Sequence, residues 1–167
     1  IFQGKIIEVQ VDDVVLPDGE KAKREIVRQP GAVAVIPITK DNKIVLVEQY
    51  RKPLGKTLLE IPAGMLEPNE QPLAAAVREL EEETGYTTKE LFFVTSFYTS
   101  PGFADELIYL YITDTLEKME TPVQGDDDEF IEGVELTLDE AKRYVEEEKI
   151  HDAKTSYAIL YLHALWR

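Results

Sequence analysis

Apolar and polar residues alternate over residues 5–16 (KIIEVQVDDVVL), the period of a strand with one solvated face. PDG at 17–19 supplies turn chemistry, and KAKREIVRQP predicts a second strand rich in basic residues, so the two form a hairpin. Residues 31–38 (GAVAVIPI) are apolar throughout, and 44–51 (IVLVEQYR) begin the same way. Separated by KDNK, they predict two buried strands joined by a turn. LLEIPAG leads through a short loop into a helix expected over 71–84 and ended by Gly85. LFFVTSFYT predicts a strand, SPGFAD a turn, and ELIYLYITDTL a strand that pairs back. EKMETPVQGDDDEF has no useful period and reads as a surface loop. VELTLDEAKRYVEEEKI carries a strand and a helix, and Asp152 is placed to cap a last amphipathic helix. Mostly antiparallel strand pairs with two or three helices predict sheet layered with helices.

The expected 71–84 helix holds an anomaly. At about 100° per residue, Leu73, Val77 and Leu80 share one narrow face, expected to be core. Glu79, Glu82 and Glu83 fall within an arc of roughly 100° beside it, while Glu81 projects elsewhere and is expected in solvent. Exposed acidic faces usually carry Lys or Arg four residues on. Here only Arg78 can reach Glu82, and the acids sit in the C-terminal turns, where the helix dipole disfavours negative charge. A divalent cation removes the conflict: hard carboxylate oxygens at i and i+4 suit magnesium or manganese, completed by water and phosphate.

Composition narrows the field. The 167 residues suffice for one well-cored domain. Eighteen basic against 33 acidic residues, net −15, argue against binding to nucleic acid or to an anionic membrane, and imply that a phosphate ligand needs cations. The absence of cysteine excludes a thiolate site and a cysteine nucleophile and fits a reducing compartment. With no long apolar run and no basic-then-apolar start, the expectation is a soluble, cytoplasmic protein.

Gly64, Glu70, Arg78, Glu79, Leu80, Glu82, Glu83 and Gly85 satisfy the Nudix box, with Tyr86 at its last apolar position. Seven fixed positions at residue frequencies of about 7% match by accident on the order of once in 10⁸ starting points. The chain therefore resembles the Nudix hydrolases. IVRQPGAVAVIPI, VLVEQYRKPL, TSFYTSPGFADE, DDDEFIEG and DAKT are similar to the ADP-ribose pyrophosphatase branch in its bacterial form, in which a proline, here Pro101, follows the box.

The resemblance implies an α/β/α sandwich with a mixed sheet, preceded by an N-terminal antiparallel strand pair. Residues 1–30 would form strands that contribute to dimerisation and the partner's site, and 31–167 the catalytic domain. It implies hydrolysis of ADP-ribose to AMP and ribose 5-phosphate with two or three Mg²⁺ ions, Mn²⁺ being a substitute. Glu79 and Glu83 would be the main metal ligands, Glu82 a ligand or water-orienting acid, and Ala63 a ligand through its carbonyl. Arg78 would hold Glu82, and Glu70 would support the turn into the helix. In this branch the acidic loop closes on the substrate and delivers a carboxylate, Glu129 first and Asp127 second.

The pyrophosphate needs positive charge, for which Arg51 and Arg24 are the candidates. Glu106 matches a position that holds the terminal ribose, and Phe103 would wall the pocket. A homodimer is implied. Two alternatives stay open: another nucleoside diphosphate derivative as substrate (a dinucleoside polyphosphate, a nucleotide sugar or NADH), and a Nudix-shaped module that binds a nucleotide without cutting it. His151 and His163 have no metal-like partner at helical spacing. Tyr157, Leu160, Tyr161, Leu165 and Trp166 are expected in the core or at a dimer surface.

Overall fold

A computed structural model describes residues 1–121 and 132–166. The N-terminal hairpin pairs β2 (Glu8–Val15) with β3 (Lys21–Arg28), and the short β1 (Phe2–Gln3) adds a third antiparallel strand to that sheet. The central sheet has the order β7-β4-β10-β9, from β4 (Ala32–Pro37), β7 (Ala63–Met65), β9 (Phe92–Tyr98) and β10 (Leu107–Thr113). It is mixed: β10 runs parallel to β4, with Ile108 opposite Ala32, while the other pairs are antiparallel. A second sheet, β12-β5-β6, comprises β5 (Ile44–Arg51), β6 (Lys56–Glu60) and β12 (Glu132–Leu136). The helices are α1 (Pro72–Thr84), α2 (Leu138–Glu146) and α3 (Ala153–Leu165).

All six residues of β4 are buried, and their alternation divides the interior in two. Val33 and Val35 pack with Ala75, Ala76 and Leu80 of α1. Ala32, Ala34 and Ile36 belong to the opposite layer, with Ala141 of α2 and Ala158, Ile159 and Leu162 of α3. A strand buried on both faces needs cover on both sides, so this arrangement is the α/β/α sandwich expected from the sequence.

Local chemistry sets the helix ends. Pro72 opens α1 with φ already helical, and Gly85 closes it in the left-handed region at φ 67°, its N–H bonded to the Glu81 carbonyl at 3.0 Å. Thr137 and Glu140 form a reciprocal capping box on α2. Asp152 caps α3 by accepting from the Thr155 N–H at 3.1 Å.

Three expectations need correction. Leu73 is half exposed; the buried face of α1 is Ala75, Ala76, Glu79, Leu80 and Glu83. The acids stand at the centre of that face instead of beside it, because two alanines let the helix approach β4 and β7 closely. Glu81 is half-buried and accepts from the Thr87 hydroxyl at 2.6 Å. Glu117 and Lys118, expected in a loop, belong to β11 (Leu116–Lys118), which pairs with β8 (Tyr86–Thr88). On α3, Tyr157, Leu160, Leu165 and Trp166 are exposed in the single chain, which rules out the core and leaves a dimer surface of the two expected places, whereas Lys154 and Thr155 are buried because both have partners on the β6 side.

Thr137→Ala removes the capping box far from the β7–α1 junction and should cost about 1 kcal/mol in urea unfolding, with the native fold retained by circular dichroism. Unchanged stability would show that the box contributes nothing.

Candidate active site

The site is built where β7 meets α1. β7 is short and antiparallel to β4, with Ala63 opposite Ala34 and Gly64 opposite Val33. It lies beneath Glu79 and Glu83, one helical turn apart and only 8% and 6% exposed. Glu83 Oε2 accepts from the Ala63 N–H at 2.9 Å. Glu79 rests on Gly64 so closely that a Cβ there would lie 2.0–2.3 Å from its carboxylate atoms. Glycine at this position is a steric requirement: any side chain would displace the acid.

Arg78 spreads across the acids. Its Nε and Nη2 donate to the two oxygens of Glu70 at 2.9 Å each, and Nη1 donates to Glu79 at 2.6 Å and Glu82 at 3.0 Å. Nη2 also reaches the Met65 carbonyl at 3.2 Å, and Glu70 accepts from the Glu67 N–H at 3.0 Å. The bond to Glu70 is the main cause of a raised Arg78 pKa, and the same bond holds the Glu70 carboxyl below its ordinary range. Glu70 thus fixes both the loop before α1 and the guanidinium.

Three carboxylates share that one guanidinium, which leaves negative charge in excess at a partly buried place. Among the described residues no three acidic, histidine or cysteine side chains already converge on one point, since Arg78 draws Glu79 and Glu82 to itself. The donor set nevertheless fits a hard divalent cation: carboxylates on successive turns, the backbone of β7 beside them, and a bare glycine that admits Glu79.

These groups edge a cleft of about 1010 Å³ lined by Glu79, Glu82, Arg78, Ala63, Arg51 and Glu106, among others. On its other side, Arg51 Nε and Nη2 donate to Glu60 at 2.7 and 2.6 Å. Lys154 binds the same Glu60 and donates to Asp152 at 3.0 Å. Burial pushes the Glu60 pKa up, but the Arg51 bond and the Lys154 charge outweigh it, and the net direction is down. Glu106 accepts from the Thr99 hydroxyl.

The cleft brings together Ala63, Arg78, Glu79, Glu82, Arg51 and Glu106; Glu83 is outside its lining and is bonded to the Ala63 N–H. It does not bring in Arg24, Pro101 or Phe103. These line a separate, shallower depression of about 280 Å³ with Arg28 and Asp105, so within one chain they stand apart from the acids. The reason is topological: Arg24 lies on β3, whose sheet meets the body at Val27 and Arg28, opposite 103–105. Asp127 and Glu129 lie outside the described residues. Sequence reasoning missed Glu60, Asp152 and Lys154 as members of the site. The signal for the first was available, a lone acid at the end of the apolar run LLE.

A model of the NUDIX domain family matches residues 9–158. The chain is 54% identical over 162 residues to the ADP-ribose pyrophosphatase of Bacillus subtilis (strain 168), covering 97% of this chain and 88% of that protein. It is 58% identical, with the same coverage, to the methanol dehydrogenase activator of Bacillus methanolicus. The crystal structure of an ADP compounds hydrolase superposes with a TM-score of 0.87 over 99% of this chain and 89% of that one; at 21% identity this shows a shared fold.

Two outcomes follow from the geometry. Glu79 is a flexible side chain, so Gly64→Ala should fold with a near-native Tm, while millimolar Mg²⁺ should raise the Tm of the native chain and not that of the variant. A retained Mg²⁺ shift would contradict the cradle. Glu70 and Glu60 have folded pKa values below their ordinary 4.5, so the stability they contribute is full above that value and lost as pH falls through the folded one. Urea unfolding should therefore show stability dropping below pH 4.5, less steeply in Arg78→Met.

Proposed function

The chain belongs to the NUDIX domain family, and from that premise we propose that it hydrolyses ADP-ribose to AMP and ribose 5-phosphate in a Mg²⁺-dependent reaction. The observation that carries this reading is the acid-rich face of α1 packed on Gly64 at the edge of a cleft whose other side bears Arg51. Bound divalent cations would neutralise the pyrophosphate and lower the pKa of a water.

The chain's own groups have separate tasks. Glu79, Glu83 and the Ala63 carbonyl would hold the cations, with Glu82 and Glu129 as further ligands. Arg78, anchored on Glu70, keeps Glu82 and Glu79 aimed at the cleft. Arg51 donates to a phosphate oxygen through the edge not engaged by Glu60. Glu106 accepts from the terminal ribose. The water oxygen bonds to one phosphorus while the bridging P–O bond breaks, and Glu82 or a carboxylate of the acidic segment, Glu129 before Asp127, accepts the proton.

Arg24, Pro101 and Phe103 enter through a homodimer in which the sheet of residues 1–30 completes the partner's cleft. That reading is supported by the exposed position of Arg24 and Phe103 and by the few bonds joining β3 to the body. The likeness to a methanol dehydrogenase activator supports a second reading, in which the chain raises the activity of a partner dehydrogenase.

Chromatography of ADP-ribose incubated with the protein and Mg²⁺ should show AMP and ribose 5-phosphate, with none in EDTA. Preference for NADH, a nucleotide sugar or a dinucleoside polyphosphate in the same assay would replace the substrate but keep the site. Glu83→Gln should fold normally and lose several orders of magnitude in kcat. Native turnover in that variant would overturn the metal assignment. Stimulation of a methanol dehydrogenase without nucleotide cleavage would favour the second reading.

A further inference from the structure

Outside the acid-rich face, four linked charged residues, Arg51, Glu60, Lys154 and Asp152, lie on the other side of the cleft. Glu60, 2% exposed, accepts from Arg51 through both oxygens and from Lys154 through Oε2. Lys154, 9% exposed, also donates to Asp152 Oδ1, the oxygen that caps α3. Asp152 Oδ2 is buried and accepts no hydrogen bond among the described residues. Arg51, Asp152 and Lys154 all line the cleft.

We infer that Lys154 is a positioning residue that keeps the Arg51 guanidinium available to the substrate's phosphates; this rests on the reading of the cleft proposed above. Two cations face two carboxylates, so the cluster is neutral, and the α3 N-terminus further offsets Asp152. Arg51 spends Nε and Nη2 on Glu60, while Nη1 makes no hydrogen bond with any described residue. Without Lys154, one guanidinium would face two largely buried carboxylates. Arg51 would then be held by the protein's own charge, and its attraction for a phosphate would weaken. Glu60 acts through the same contacts: its buried carboxylate is fixed by Lys154 on one side and orients Arg51 on the other.

Asp152→Asn keeps a capping oxygen for Thr155 and a partner for Lys154, and replaces only an oxygen that accepts nothing. It leaves the cluster with an excess positive charge and should tighten phosphate binding. A purely structural role for the cluster gives no improvement.

The test is steady-state hydrolysis of ADP-ribose by native protein, Lys154→Met, Lys154→Arg, Asp152→Asn, Arg51→Ala and the Arg51→Ala/Lys154→Met pair. Lys154→Met should raise KM about tenfold with kcat changed less than about twofold, and Lys154→Arg should restore most of the loss. Asp152→Asn should lower KM about threefold. In the Arg51→Ala background, Lys154→Met should add nothing to KM. A native KM in Lys154→Met, an undiminished effect without Arg51, or no fall in KM with Asp152→Asn overturns the inference. Should Lys154→Met not fold, Asp152→Asn decides alone. Failure of the native protein to cleave ADP-ribose or any other nucleoside diphosphate derivative defeats the cleft reading itself. Cleavage that is impaired by Arg51→Ala but indifferent to Lys154 and Asp152 defeats only the positioning role.

Discussion

Two carboxylates at the centre of a helix's buried face constrain everything around them. Glu79 and Glu83 occupy positions on α1 where a globular helix normally puts leucine, and they do so against β7. A charge in such a place must be hydrogen-bonded and offset. Three features of the chain answer that need. Gly64 removes the side chain that would collide with Glu79, Ala63 supplies an N–H to Glu83, and Arg78 draws Glu70, Glu79 and Glu82 onto one guanidinium. The strand order follows the same logic: β7 pairs with the fully buried β4, so the acids are seated beside the most deeply buried strand of the sheet.

The cleft has two electrically different sides. The α1 side carries surplus negative charge and calls for cations; the β5–β6–α3 side balances Glu60 and Asp152 against Arg51 and Lys154. The chain connects them directly, since Glu60 is followed by Ile61, Pro62 and Ala63 on the way to the Glu83 contact. The two sides also feel each other: the Glu60 bond is the main cause of Arg51's raised pKa, and Glu83 adds to it through charge alone. Under the proposed function, a pyrophosphate placed between them would meet the Arg51 donors on one side and carboxylates that need cations on the other.

What could be read from the sequence was what is local. α1 was legible to within a residue because Pro72 and Gly85 mark its ends, and the spacing of Glu79, Glu82 and Glu83 on one helix needs no tertiary information. The layering was legible from the apolar run of β4. Which side of α1 is buried was not, because Ala75 and Ala76 carry little hydrophobic signal while Leu73 carries much, and close packing against β4 and β7 decided in favour of the alanines. Contacts between distant segments were likewise hidden. Lys154 and Glu60 are 94 residues apart, and nothing in DAKT by itself announces a buried lysine. The placement of Arg24 beside Phe103, away from the acids, depends on how the first sheet meets the body.

Everything at the β7–α1 junction depends on whether the crowded acids share cations. The most direct measurement is electron paramagnetic resonance of Mn²⁺ titrated into the native chain in the presence of a non-hydrolysable ADP-ribose analogue. The free-ion signal should stay suppressed until an integral number of ions per chain has bound, and Glu79→Gln with Glu83→Gln should abolish the suppression. A free-ion signal that rises in proportion from the first addition to the native chain would contradict that sharing.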